Sequence, residues 1–93
     1  MIGYDKNEIY VGEKPFMSYI TGVALQFSRG EKEVIIKARG KFTARAIDIA
    51  EVSVRDFLTD VYVKEVKINS ENVINSENVK LRLSIIEITL SKR

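Results

Sequence analysis

The chain of 93 residues has no cysteine, no histidine and a single proline. Without cysteine it has no disulfide, no thiolate nucleophile and no Cys-based zinc site. Without histidine it has no Ser-His-Asp or Cys-His constellation, no imidazole acid/base chemistry and no His metal ligand. Catalysis would fall to carboxylates and lysines alone, and no enzyme activity is expected. The carboxylates that a metal-dependent nuclease would have to pair, Asp56 with Asp60 or Glu31 with Glu33, flank helix and strand ends, where acidic side chains ordinarily serve solvation. Neither a metal site nor a cofactor is read from them. Long hydrophobic runs are missing as well: none approaches the roughly 20 residues of a membrane-spanning helix. The opening stretch MIGYDKNEIY carries acidic residues and lacks the apolar core of a signal peptide. The expectation is an intracellular, cytoplasmic protein with no membrane role.

What is present is a hydrophobic content of 45%, enough for a globular fold. The length suits one domain, spanning residues 1–93, with a small core for which oligomerisation would be a natural supplement. Fifteen cations and thirteen anions leave a formal net charge of +2. That is too little to signal nucleic-acid binding by itself, so the placement of the cations matters more than their number.

Apolar patterning divides the chain into six elements. Residues 8–12, EIYVG, read as a short strand ended by glycine. Pro15 suits the first position of a helix running to Arg29, with Phe16, Ile20, Val23, Ala24 and Phe27 at three- and four-residue steps and Gly30 as the stop. Residues 33–39, EVIIKAR, form a second strand whose centre is continuously apolar. After a tight turn at Gly40 and Lys41, Thr43 is the expected N-cap of a second helix reaching about Phe57, with a stripe of Ala46, Ile47, Ala50, Val54, Phe57 and Leu58. Residues 61–68 and 80–90 read as two further strands joined by a long polar loop. In that loop the hexapeptide INSENV occurs twice, at 68–73 and 74–79. Two copies are too few for a solenoid, which leaves a lengthened surface loop or an arm for a partner. The order β-α-β-α-β-β predicts an α/β (α+β) two-layer sandwich, two helices on a four-stranded mixed sheet. Phe16, Tyr19, Phe27 and Tyr62 are expected in its core rather than as base-stacking platforms.

This topology acts on the cations. A right-handed strand–helix–strand crossover sets the first two strands parallel and puts both strand-to-helix turns at one end of the sheet. Lys14 in the first turn and Lys37, Arg39 and Lys41 around the second then gather there, beside two helix N-termini. Strand alternation need not aim every one of them the same way. A phosphate-backbone surface, a solvated basic edge and a small anion site all fit this cluster. The glycines do not have the spacing of a phosphate loop. Arg45 suits either a helix-surface ion pair with Asp48 or a ligand contact.

The strings VGEKPFMSYI, VIIKARGKFTARAIDIAEV and SIIEITL, from Ile9 to Leu90, resemble the Alba family of archaeal chromatin proteins. The resemblance implies a fold shared with the C-terminal domain of bacterial translation initiation factor three. It also implies a homodimer that binds double-stranded DNA and RNA with little sequence preference, and that coats and condenses DNA through contacts between dimers. It places nucleic-acid contacts at Lys14, Lys37, Arg39, Lys41 and Arg82, and a dimer–dimer contact at Phe57. Two positions depart from the family pattern. Glu13 stands where the first of two lysines, the family's acetylation site, is usual. The arm NSENVINSENV has Glu71 and Glu77 and no cation, so weak arm contacts or Asn hydrogen bonds are expected. The function read from all this is sequence-tolerant nucleic-acid binding by a chromosome-associated homodimer, with Arg45 added to the contact set. The alternatives are a mainly RNA-directed or ribonucleoprotein role, and a protein-interaction module working through the second helix.

Overall fold

A computed structural model describes residues 7–93; residues 1–6, most of the stretch read for a leader, lie outside the described residues. The chain runs β1 (Glu8–Tyr10), α1 (Phe16–Ser28), β2 (Glu33–Arg39), a 3-10 turn (Gly40–Phe42), α2 (Thr43–Val52), a π-helical turn (Ser53–Phe57), β3 (Val61–Ile74) and β4 (Lys80–Lys92). The sheet order is β1-β2-β4-β3. β1 lies parallel to β2, and β4 is antiparallel to both β2 and β3. This is the expected two-layer α+β sandwich on a mixed sheet.

β2 has the predicted bounds. Its even-numbered residues Val34, Ile36 and Ala38 are buried against the helices, while Glu33, Ile35, Lys37 and Arg39 alternate onto the other face. Opposite them on β4, Leu90, Ile88 and Ile86 continue the helix-facing core. α1 closes the core with Tyr19, Ile20, Val23 and Phe27. It stops at Gly30, whose φ of 101° suits a residue without Cβ and whose N–H donates to the Phe27 carbonyl.

Local expectations fail in instructive places. Pro15 sits at the cap position, and the helix begins one residue later at Phe16. Thr43 is not an N-cap: the 3-10 turn feeds straight into α2, so Thr43 is already helical and its hydroxyl donates to the Gly40 carbonyl at 3.1 Å. The buried face of the second helix is Ala46, Ile49, Ala50 and Ser53, with Val54 and Leu58 packed at its margin. Ile47 and Phe57, assigned to that stripe from the sequence, are about half exposed (49% and 53%). The helix ends in a π-turn, with the Leu58 N–H donating to the Ser53 carbonyl at 2.8 Å. This turn advances the chain by less than 100° per residue, so the stripe drifts off the core before Phe57. Tyr62 is likewise not a core residue: it lies on the surface beneath the Arg93 guanidinium, 5.4 Å from its ring centre.

The polar stretch read as a loop is largely strand. β3 carries the whole first INSENV copy and Ile74, the first residue of the second, paired residue by residue with β4 from Ile68 opposite Ile86 to Ile74 opposite Lys80. The second copy makes the turn. Its Asn75 side-chain oxygen accepts the N–H groups of Glu77 and Val79 at 2.9 and 3.0 Å, and Asn78 takes a left-handed φ of 62°. One hexapeptide therefore adopts two structures, chosen by whether β4 lies beside it. β2 ends at Arg39 opposite Ile85, so beyond that point the β3–β4 hairpin projects as a two-stranded arm.

Candidate nucleic-acid interface

The parallel β1–β2 pair brings the loop 11–15 and the turn 40–42 to the same end of the sheet, where both helices begin. Tyr19 organises the first loop. Its buried hydroxyl accepts the N–H groups of Gly12 (2.8 Å) and Lys14 (3.0 Å), which would otherwise lack partners where the chain leaves β1. Arg45, reaching from α2, donates to the Lys14 carbonyl at 2.7 Å and lays its guanidinium over the Tyr19 ring at 5.9 Å. Arg45 thus ties α2 to the first loop, and no ion pair joins it to Asp48 among the described residues, in contrast to one sequence reading. The role of Tyr19 was hidden in the sequence, where its helical spacing marks it as a core residue only.

Tyr19→Phe should leave the ring packed and remove the acceptor of both loop amides. The expected result is a loss of about 1–3 kcal/mol in denaturant unfolding, with faster hydrogen exchange at the Gly12 and Lys14 amides. A variant with wild-type protection at both amides would show that the hydroxyl does not hold the loop.

The second turn depends on Gly40, whose φ of 62° lets the chain reverse direction directly after Arg39. Lys41 projects from it, 77% exposed, with its ammonium 3.6 Å from the Glu13 carboxylate of the first loop and 5.3 Å from the centre of the Phe42 ring. Arg39 points across the open face of the sheet, away from the helices, and pairs with Glu71 of the arm. Lys37 shares that face and is the most enclosed of these cations. Glu8 and Glu87 stand 2.8 and 3.8 Å from its ammonium, with the Tyr10 ring centre at 5.7 Å. The hydrogen bond to Glu8 is the main cause that raises its pKa above the usual 10.5, against a smaller opposing effect of burial. The Lys37 charge is therefore fixed throughout the neutral range. It is lost only as pH climbs past 10.5 through the raised value, and the stabilisation from its pairs goes with it.

Lys14, Lys41 and Arg45 thus meet at one end of the molecule, linked by the Arg45–Lys14 bond and the Lys41–Glu13 pair, while Arg39, at the same end of β2, turns onto the open face toward the arm. Lys37 lies inward on the open face, between carboxylates. Arg82 stands apart on the arm. It lies opposite Asn72 and donates to the Ser70 hydroxyl at 3.2 Å, on the arm face opposite that of Glu71. Of the acidic pairs considered for a metal, Asp56 is tied to Arg55 and Glu33 to Lys64. No group of three or more acidic residues arranged for a metal ion occurs among the described residues.

A four-stranded β1-β2-β4-β3 sheet with two helices on one face and a basic loop end defines the class: a small single-layer-sheet α+β domain with its cations at the strand-to-helix turns. The chain belongs to the Alba family, whose model matches residues 7–70. It is 47% identical over 88 residues to DNA/RNA-binding protein Alba 1 of Archaeoglobus fulgidus, covering 95% of this chain and 98% of the relative. It is 48% identical over 84 residues to DNA/RNA-binding protein Alba of Methanothrix thermoacetophila, covering 90% and 93%. The solved structure of Alba from Thermoplasma volcanium superposes with a TM-score of 0.86 at 38% identity, over 92% of this chain and all of that one. The resemblance seen in the sequence is thus a true family relationship.

Proposed function

We propose that this chain is a homodimeric protein that binds double-stranded DNA, and RNA, with little sequence preference through the end of the sheet that carries Lys14, Arg39, Lys41 and Arg45. The convergence of Lys14, Lys41 and Arg45 at the starts of α1 and α2, with Arg39 on the open face of the same sheet end, carries the proposal. They come from two separated stretches of the chain, the loop 11–15 and residues 39–45, beside backbone dipoles of the same sign. Long flexible cations around an open edge suit phosphate oxygens, and nothing there forms the rigid donor–acceptor pattern that base readout needs. Arg82 and Lys37 are assigned as outlying contacts, one on the arm and one on the open face. The names of the archaeal relatives, DNA/RNA-binding proteins, support the same partner class. Chromosome association follows from that activity.

A groove on the helix side supports the dimer. β3 is the edge strand, and α2 reaches only as far as β4, so Val63, Val66 and Ile68 look onto the flank of α2 instead of a covering element. Val63 and Val66, with Ile47, Ala50 and Val54, line a groove whose walls are apolar except for Glu51, and it continues past Ile68 into a more polar stretch with Thr43, Ser70 and Ser84. A second copy carries the same apolar surface, and a two-fold axis would set one against the other. Phe57, exposed at the end of the helical segment, is assigned to contacts between neighbouring dimers.

The test is a competition among duplex DNA, duplex RNA and heparin at several salt concentrations. The expected result is displacement by both duplexes and a log–log salt slope equivalent to several phosphates per dimer. Binding that is independent of salt, or confined to heparin, would overturn the assignment.

A further inference from the structure

The cations of this edge are not waiting free in solution. Arg39 is held by Glu71 and Lys41 lies against Glu13, so two of the four proposed phosphate contacts already face a carboxylate of the same chain. The Arg39 pair is the more telling one. Arg39 is the last residue of β2 and Glu71 belongs to β3, with β4 running between them. In register, Arg39 faces Ile85, Asn69 faces Ile85 from the other side, and Glu71 follows two residues on, opposite Leu83. All point to the same open face, and the two long side chains meet across the central strand at the root of the arm. The carboxylate offers Arg39 two acceptor oxygens with the charge of a phosphate contact.

We propose that Glu71 is an affinity-determining residue that competes intramolecularly with nucleic-acid phosphate for Arg39. Glu71 acts in this way only if Arg39 contacts phosphate, as proposed above. Phosphate and the Glu71 carboxylate compete for the same guanidinium, and loss of the pair removes a side-chain link between the end of β2 and the arm root. The carboxylate is tethered, so its effective concentration is independent of protein concentration. The pair is partly exposed, with 64% of the Arg39 side chain and 39% of the Glu71 side chain accessible, so its strength is that of a surface ion pair and falls with salt. The result is a brake that acts most at low salt, where unselective adhesion to polyanions would otherwise be strongest.

The duplicated hexapeptide supplies a matched control. Glu77 is the same residue in the same six-residue context and carries the same charge, yet it lies in the turn and joins no ion pair among the described residues. The experiment measures affinity for a short mixed-sequence DNA duplex with Glu71→Gln, Glu77→Gln, Arg39→Gln and the double variant Arg39→Gln/Glu71→Gln. Glu71→Gln should tighten binding by about two- to fivefold per protomer at low salt, with the gain shrinking as salt rises. Glu77→Gln should give a smaller change, and the gain from Glu71→Gln should disappear when Arg39 is also replaced. If Arg39→Gln weakens binding but Glu71→Gln leaves it unchanged, the competition is absent and the inference is overturned. An equal gain from Glu77→Gln, or a full gain in the Arg39→Gln background, would make the effect one of net charge and overturn it as well. An Arg39→Gln variant with unchanged affinity would instead remove the phosphate contact itself, and with it the assignment of Arg39 and the inference built on it.

Discussion

Replacing Lys14, Arg39 and Lys41 together by Ala should lower duplex affinity on the order of a thousandfold or more at low salt while the fold survives. The three residues contribute six cations to a dimer. If each neutralises one phosphate, the log–log salt slope on B-DNA becomes shallower by about 5 units. The formal charge of the protomer falls from +2 by three, to −1, so the long-range attraction changes sign along with the contacts. Little else is lost, because Lys14 and Lys41 are exposed in loops and Arg39 ends an already paired strand. The loop scaffold is kept, since Tyr19 binds the Lys14 backbone and not its side chain, and Arg45 binds its carbonyl. The measurements are fluorescence anisotropy across a salt series and circular dichroism with melting. Affinity within threefold of wild type, with an intact spectrum, would move the binding surface elsewhere.

Val66→Asp should turn the proposed dimer into a monomer of 10.6 kDa. Val66 is 52% exposed in the protomer, so a carboxylate there remains hydrated in the monomer and the single chain should fold. In the two-fold dimer each copy would drive an unpaired charge into an apolar groove, at an effective cost of several kcal/mol per ion. Two such charges raise the dissociation constant by at least about a thousandfold, or about 4 kcal/mol. Val66→Leu, which keeps the groove apolar, should stay dimeric. Sedimentation of the three proteins over a concentration series decides the matter. A dimeric Val66→Asp protein would place the interface on another face. A monomeric variant should also bind long duplex with a much smaller salt slope, since one basic edge replaces two.

The parts of the fold that were legible in the sequence are those fixed by burial. β2 could be bounded to the residue because its apolar residues Val34, Ile35, Ile36 and Ala38 cluster between the charged Glu33 and Arg39, and the helix-facing positions 34, 36 and 38 are buried. The parallel β1–β2 pair followed from the handedness of crossovers, and the gathering of the basic loops followed from that. The arm was misread because none of the residues 69–74 is buried on either face, and such a strand needs no apolar alternation. Its backbone partner β4 decides its conformation. The exposed Ile47 and Phe57 were drawn into the core stripe because a helical template cannot tell a residue facing its own sheet from one facing a groove, nor foresee a π-turn. The pairs Arg39–Glu71 and Lys41–Glu13 lay beyond reach for a different cause: they depend on β4 standing between β2 and β3 and on the side-by-side placement of two loops. Tyr19 was legible as buried, but not as the acceptor that shapes the first loop.

The two INSENV copies make the length of the arm a quantity that changes in steps. The register of β3 against β4 is locked at the base by Ile86, Ile88 and Leu90 in the core, so six added residues cannot slide the strands. They must lengthen the hairpin by three residues on each side, which is about 10 Å at the rise of a strand. That is the axial span of about three base pairs. Because three is odd, each added copy also turns the tip to the opposite face of the arm. Hexapeptide insertion therefore sets reach and tip orientation together, and leaves the fold beneath untouched.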